Sequence, residues 1–282
     1  IGQLTKGSSI SSPIAEAINT EYLSSENKLL VSAKLQKWID DLIKTKLWPL
    51  NEVIDEKLSP NIRAIQFNLF ESLGTLPIEK FKSFLKNISL EEKTALSKLG
   101  IRIGAKYFFV PNFLKKASME LLAVLWCIFN NHKLDGTLPL PKDGRVSFES
   151  DAEMQQGYWL AIGYLKLNNF ALRIDVFERI FFIVRQKIKF GPFLDSADLM
   201  NPVGCNREQL KDILSYCGLN YIKFLNERYL FFYESNKVLV KTKRIVAKKI
   251  DLKQKSKNNK TSKKIEKSID RNSPFAVLEK LL

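Results

Sequence analysis

The sequence is poor in the residues on which much enzyme chemistry depends. His132 is the single histidine, so any Ser-His-Asp, Cys-His or histidine-rich metal site would depend on one imidazole. The three cysteines, Cys127, Cys205 and Cys217, include no Cys-x-x-Cys pair, which argues against a zinc module or a disulfide framework. Free, buried thiols are the simplest interpretation, and they indicate a reducing, cytoplasmic compartment.

Motifs for nucleotide chemistry are also missing. The nearest match to a phosphate loop, Gly2 to Gly7 followed by Ser8-Ser9, lacks the lysine that contacts the β and γ phosphates. Asp55-Glu56 begins like the acidic box of a motor protein, but no apolar strand precedes it to position a magnesium ligand. The sequence therefore predicts no catalytic, cofactor-binding or metal site in this chain.

Long apolar runs are absent as well. The longest, Ala117 to Phe129, is interrupted by Glu120 and falls short of the roughly 20 residues that a membrane-spanning helix requires. No membrane span is predicted. The chain starts at Ile1 without an initiator methionine or the charged-then-apolar order of a secretory signal, so we expect an internal start within a longer protein.

Positive charge is abundant and unevenly distributed. The formal net charge is +15, and residues 237–267 alone carry thirteen Lys or Arg against Asp251 and Glu266. This segment lacks apolar periodicity, so we expect a disordered, Lys-rich tail over residues 237–272. Such a tail can neutralise phosphates and release counterions, or it can simply keep the protein in solution.

Helical signals dominate the first half of the chain. Apolar residues from Val31 to Pro49 recur at helical spacing, Ser59-Pro60 is a typical helix start, and Ser89 to Glu92 reads as a capping box. The β-branched and aromatic residues around Gly104 predict a strand pair near 101–110, followed by an apolar central helix from Phe113 to Asn130. We therefore predict a mainly α fold with small β elements.

The C-terminal part has the element order of a winged helix. Helices are predicted from Leu172 to Ile188, Ser196 to Met200 and Arg207 to Cys217, and two aromatic runs around Asn226-Glu227-Arg228 predict a β-hairpin. The predicted divisions are a partial N-terminal segment (1–30), a helical bundle (31–132), a loop-rich connector (133–171), a winged-helix-like unit (172–236), the basic tail (237–272) and a short docking helix (273–282).

In this arrangement the third helix projects its polar face outward, where Arg207 and Lys211 are candidate contacts to phosphates or base edges. The wing adds Lys223 and Arg228 as candidate phosphate contacts. Many winged helices instead only pack or bind proteins, and Glu208 and Asp212 weaken the positive field of the same helix. Further candidate contacts in the tail are Lys241, Lys243, Arg244, Lys248 and Lys249.

Order is predicted to resume after the tail. Ser273 and Pro274 resemble the start of a helix, and its apolar edge includes Val277, Leu278 and Leu281. A helix of this length is marginal alone, so it should bind either the body of the protein or a protein partner.

Several runs, in this order along the chain, are similar to a known family. They resemble the region that follows the motor core in alphaproteobacterial ATP-dependent helicases of the DExH-type superfamily, relatives of the mitochondrial degradosome RNA helicase. The runs are Leu99 to Gly104, Phe108 to Pro111 with Leu114-Lys115, Leu125-Trp126, Gly157 to Trp159 with Gly163-Tyr164, Arg173 to Arg179, Val203 to Cys205 and Ser273 to Leu278.

The resemblance implies a C-terminal accessory region that holds an RNA or DNA strand against two RecA-like motor domains upstream. ATP and magnesium would bind those domains, and no catalytic residue can be carried over because the phosphate loop, the acidic box and the arginine fingers are missing here. Two alternatives remain open. One is a stand-alone winged-helix regulatory protein that binds nucleic acid, and the other is a scaffold that binds a protein partner.

Overall fold

The computed structural model shows a fold that is about half helical, with small antiparallel sheets, over the residues that it describes. That much of the predicted fold class is confirmed. Within the described ranges, no helix combines the length and the apolarity needed to cross a bilayer. The described residues are 2–18, 22, 24–48, 59–86, 88–132, 138–142, 144–224 and 227–233.

The N-terminal residues form a hairpin that the sequence patterns do not predict. Strands β1 (Gly2–Ser9) and β2 (Ser12–Ala17) are antiparallel, and helix α1 (Ser25–Lys46) packs against them. Gln36 of α1 fixes this contact, because its side chain accepts from the Ala15 amide at 2.9 Å and donates to the Pro13 carbonyl at 3.1 Å. The predicted first helix starts too late, since its Ser24 cap precedes the apolar periodicity.

Residues 59–132 contain helices and a three-stranded sheet. The helices are α2 (Pro60–Glu71), α3 (Lys82–Lys86), α4 (Leu90–Lys98) and α5 (Lys116–Phe129), and Ser59 and Ser89 cap α2 and α4 as predicted. The predicted strand pair is confirmed as β4 (Arg102–Ile103) and β5 (Tyr107–Phe109). An additional strand, β3 (Thr75–Pro77), pairs with the other edge of β5.

The predicted loop-rich connector, residues 133–171, requires correction. It contains β6 (Ser147–Glu149), α6 (Gln156–Ala161), β7 (Tyr164–Leu167) and the start of β8 (Phe170–Arg173), in a sheet of order β6-β8-β7. Tyr158, Trp159 and Tyr164 are fully buried. Pro and Gly residues up to Gly144 suggested a loop, but the aromatic side chains after them belong to the core.

The C-terminal elements follow in the predicted order. They are α7 (Ile174–Lys187), β9 (Phe193–Leu194), α8 (Ala197–Met200), α9 (Arg207–Tyr216), β10 (Asn220–Lys223) and β11 (Tyr229–Phe232). The predicted hairpin is confirmed as β10 and β11, and β9 adds an unpredicted strand, which makes the sheet order β10-β11-β9. Asn206 caps α9 through a capping box with Gln209.

The core consists of two hydrophobic clusters that meet at β5. The first lies among α1, α2, α5 and α6 and includes Phe108, whereas the second lies among α7, α9 and the C-terminal sheet and includes Tyr107 and Phe109. Successive residues of a strand point to opposite faces, so β5 contributes to both clusters. The described residues of 2–233 therefore pack around two adjoining clusters, and α9 and β11 belong to the second.

Candidate nucleic-acid interface

Two carboxylates bring together the four predicted nucleic-acid contacts that lie outside the basic tail. Arg207 and Lys211 lie on α9, Lys223 ends β10 and Arg228 precedes β11. Each of them makes an ion pair within the chain. The carboxylates, Asp195 and Glu208, are therefore considered first.

Asp195 is a buried carboxylate shared by two arginines. Its side chain is only 2% exposed; Arg207 Nε donates to one oxygen at 2.9 Å, and Arg228 Nε lies 3.4 Å from the other. The Tyr229 amide donates to the same second oxygen at 2.8 Å, and Arg228 also donates to the Asp195 carbonyl at 2.7 Å. This carboxylate joins the end of β9, the start of α9 and the start of β11, so a large part of the role of both arginines is structural.

Glu208 gathers the other two cations. Lys211 Nζ lies 2.8 Å from its carboxylate, Lys223 Nζ lies 3.6 Å away, and the Tyr229 hydroxyl donates to it. Lys211 and Tyr229 stabilise the ionised form and lower the pKa of Glu208 to about 2. In turn Glu208 raises the pKa of Lys211 above its ordinary value, so both partners stay charged at neutral pH.

These pairs leave the predicted contacts partly available to a ligand. The side chains of Arg207 and Lys223 are 48% and 50% exposed, whereas that of Lys211 is 22% exposed. A phosphate could meet their outer atoms, but it would do so close to two carboxylates, which oppose an anion. The predicted tail contacts, Lys241, Lys243, Arg244, Lys248 and Lys249, lie outside the described residues, as do the tail and the helix predicted over 273–282.

The β10–β11 hairpin also exposes apolar side chains. Strand β10 is exposed along its whole length at the edge of its sheet, and Tyr221, Ile222 and the following Phe224 are 44%, 51% and 46% exposed. An exposed edge strand can pair with another chain, and its apolar side chains can pack against a protein surface.

Sequence reasoning misses two cations that lie elsewhere. Arg102 on β4 and Arg179 on α7 are both exposed and line one cleft, although 77 residues separate them in the sequence. Neither has a hydrogen-bond or ion-pair partner among the residues that the structure describes. No local pattern distinguishes them from solvated surface arginines, because only the packing of α7 against β5 brings them together.

The described residues offer no metal site, since they contain no cluster of three or more His, Cys, Asp or Glu side chains suited to holding an ion. Comparison with protein-family models, with curated proteins and with solved structures finds no match to this chain. The resemblance to helicase C-terminal regions therefore stays a prediction, and the functional argument depends on the geometry and charge of the chain itself.

Proposed function

We propose that this chain is the C-terminal accessory, nucleic-acid-binding region of an ATP-dependent RNA or DNA helicase, and that it holds the substrate strand against motor domains outside the chain. The observation that carries the proposal is a basic segment next to a particular topology. The topology is α7, β9, α8, α9 and the β10–β11 hairpin, with strand order β10-β11-β9, and residues 237–267 follow it directly.

Within this proposal, residues 172–236 form a winged helix and residues 31–132 a helical bundle that supports it. Winged helices present their third helix and their hairpin to nucleic acid, which gives the exposed atoms of Arg207 and Lys223 a role in contacting phosphates. Because Asp195 and Glu208 hold the same cations, we assign these contacts to orientation of the strand and most of the affinity to the tail.

The tail supplies affinity without reading sequence. Thirteen Lys or Arg in residues 237–267 can displace the counterions condensed on a strand, and this release favours binding at low salt. A helicase must hold many sequences in turn, so a sequence-independent grip suits it. ATP and magnesium would act in the motor domains, and the free thiols Cys127, Cys205 and Cys217 suit a cytoplasmic protein.

Deletion of residues 237–267 tests the proposal. We expect at least a roughly tenfold weaker affinity for a single-stranded RNA near 50 mM salt, and a shallower dependence of log K on log salt. A matched variant carries the same residues of the segment in scrambled order, and it should bind as the native chain does because charge rather than sequence matters. Unchanged affinity and salt slope after the deletion would show that the lysines do not contact the strand.

A second candidate function is a stand-alone regulatory protein that uses the same topology to recognise one sequence. The exposed hairpin edge of Tyr221 and Ile222 would then serve a protein partner or a second copy. Selection from a pool of random duplexes separates the candidates. Enrichment of one sequence would favour the regulatory protein, whereas recovery without sequence preference is what the helicase proposal expects.

A further inference from the structure

A cleft opens where the turn between β4 and β5 meets α7. Its volume is about 410 Å³, and both arginines in its lining are exposed. We call it the Arg102 cleft. The residues that line it and enter the argument are Arg102, Gly104, Asp175, Glu178 and Arg179.

The acidic residues of the Arg102 cleft already have partners. Asp175 accepts from Arg173 through both carboxylate oxygens, at 2.7 and 3.0 Å. Glu178 is buried, and its oxygens accept from the amides of Ala105 at 2.6 Å and of Lys106 and Tyr107 at 2.8 Å. Arg102 and Arg179 have no partner in the described part of the chain, so the charge that the cleft offers to a ligand is positive.

A second cavity of about 200 Å³ continues the cleft beyond Arg102. It shares Arg102 and Pro111 with the first cavity and adds Ser97 and Asn112, both of them exposed. Their hydroxyl and amide groups can donate to phosphate or sugar oxygens. The two cavities therefore adjoin at Arg102 and Pro111, and we treat them together as one groove that could take a chain of linked groups.

An exposed aromatic side chain lies on the same face of α7 as Arg179. Phe182 follows Arg179 by three residues on α7, so the two residues share a helix face, and Phe182 is 61% exposed. Alternation of cations with exposed aromatic rings is the arrangement by which proteins bind single strands, since bases stack on rings while phosphates meet cations. Binding of a free phosphate ion would not require an aromatic ring.

We propose that the Arg102 cleft binds the backbone of a single-stranded nucleic acid, with phosphodiester groups on Arg102 and Arg179 and a base stacked on Phe182. This site deepens the proposed function and rests on it. A guanidinium suits the role because its planar donors pair with two phosphate oxygens at once. The strand would cross the protein from Asn112 on one side to α7 on the other, away from the carboxylates that surround Arg207 and Lys223.

Binding of a labelled single-stranded RNA by the full 282-residue chain tests the site, with the double variant R102Q and R179Q compared with the native protein. We expect affinity to fall roughly tenfold or more at low salt, and the salt slope to become shallower by about 1.4, at about 0.7 for each phosphate lost. The matched control is K34Q with K37Q, which removes two exposed lysines of α1 that line neither cavity, and it should change affinity less than twofold.

Phe182→Ala distinguishes a strand from a free anion. This variant should weaken RNA binding by about fivefold or more, the loss expected for one unstacked base, and leave the binding of inorganic phosphate unchanged. Thermal unfolding of all variants checks that they fold. If the phosphate affinity depends on Arg102 and Arg179 while the RNA affinity does not, the cleft is a free-anion site and the inference is wrong.

The outcomes separate the cleft from the proposed function. If the native protein binds RNA and the double variant R102Q and R179Q binds it as tightly as the lysine control does, the Arg102 cleft alone is rejected. If the native protein binds neither single-stranded RNA nor single-stranded DNA at low salt, the proposed function is rejected and the cleft with it. Both the cleft and the proposed function are supported if RNA affinity falls in the double variant and stays unchanged in the lysine control. Deletion of residues 237–267 should then lower the affinity further.

Discussion

At the scale of single residues, Asp195 shows how a buried carboxylate can change the role of a surface cation. Arg207 and Arg228 look like nucleic-acid contacts in the sequence, and the structure places both against Asp195. Asp195 carries no signal in the sequence, because an aspartate next to a short strand is usually a turn residue. The pairing was therefore decided by the approach of β11 and α9 to β9.

Asp195→Asn should lower the free energy of unfolding by roughly 2 to 3 kcal/mol, since it removes a buried, charge-assisted hydrogen-bond acceptor that three donors share. Urea unfolding measures the loss. The matched control is Asp198→Asn, whose partner Lys187 lies at 2.8 Å but whose side chain is 56% exposed, and it should cost less than about 1 kcal/mol. Equal losses in the two variants would contradict the structural role of Asp195.

The lowered pKa of Glu208 predicts that the free energy of unfolding depends on pH in the acidic range. Its pKa in the folded protein, about 2, lies below the ordinary value of 4.5, so the ionised carboxylate stabilises the fold above pH 4.5. That stabilisation is lost as the pH falls from 4.5 towards 2. Urea midpoints of the native protein and of Glu208→Gln should therefore converge over this range. Substitution of the exposed Glu91 by Gln serves as the control. A constant difference between the urea midpoints of the native protein and Glu208→Gln down to pH 2 would contradict the prediction.

At the scale of elements, the Glu178 carboxylate joins α7 to the turn between β4 and β5. Three successive amides donate to it, and a Cβ on Gly104 would lie 2.4 Å from its carboxyl carbon, so a larger residue there would have to displace the carboxylate from these amides. Burial raises the pKa of Glu178 above its ordinary value, although the amides act in the opposite direction. This one contact positions both arginines of the Arg102 cleft.

Glu178→Ala should lower the free energy of unfolding by about 3 kcal/mol, because it leaves three backbone donors without an acceptor. Hydrogen exchange should show lost protection at Ala105, Lys106 and Tyr107. The control is Glu120→Ala on the exposed face of α5, which we expect to stay within about 0.5 kcal/mol of the native protein. Unchanged exchange at the three amides would mean that the turn holds its conformation without Glu178.

Helices and turns with local signals were predicted well. Ser59, Ser89 and Gly218 mark ends of α2, α4 and α9 because capping involves residues that are neighbours in the chain. The short strands β3 and β9 were missed, since two or three residues are too few to show an alternating pattern and both strands exist through partners distant in the sequence. The N-terminal hairpin was missed because its polar strands resemble a loop.

At the scale of the whole molecule, the two hydrophobic clusters should unfold together. Strand β5 directs Phe108 into one cluster and Tyr107 and Phe109 into the other, so neither cluster can lose its packing without exposing part of the other. Trp126 and Trp159 lie in the first cluster, and the described members of the second include no tryptophan. The other two tryptophans, Trp38 and Trp48, are exposed, so the change in tryptophan fluorescence on unfolding comes mainly from the first cluster.

Leu210→Ala tests this coupling, because Leu210 is fully buried in the second cluster. The substitution should cost about 2 to 5 kcal/mol and shift the fluorescence transition of Trp126 and Trp159 as far as it shifts the far-ultraviolet dichroism. A fluorescence midpoint that stays in place while the dichroism transition moves would show that the clusters unfold independently.

The sequence by itself determined the starts of α2 and α4, the end of α9, the β10–β11 hairpin and the concentration of positive charge in residues 237–267, because each of these is a property of neighbouring residues. Only the tertiary structure decided which cations have partners. Asp195 and Glu208 engage the predicted contacts, whereas Arg102 and Arg179 meet in one cleft without partners among the described residues. The physical reason is that electrostatic interaction depends on distance in space, and the packing of α7 on β5 sets that distance.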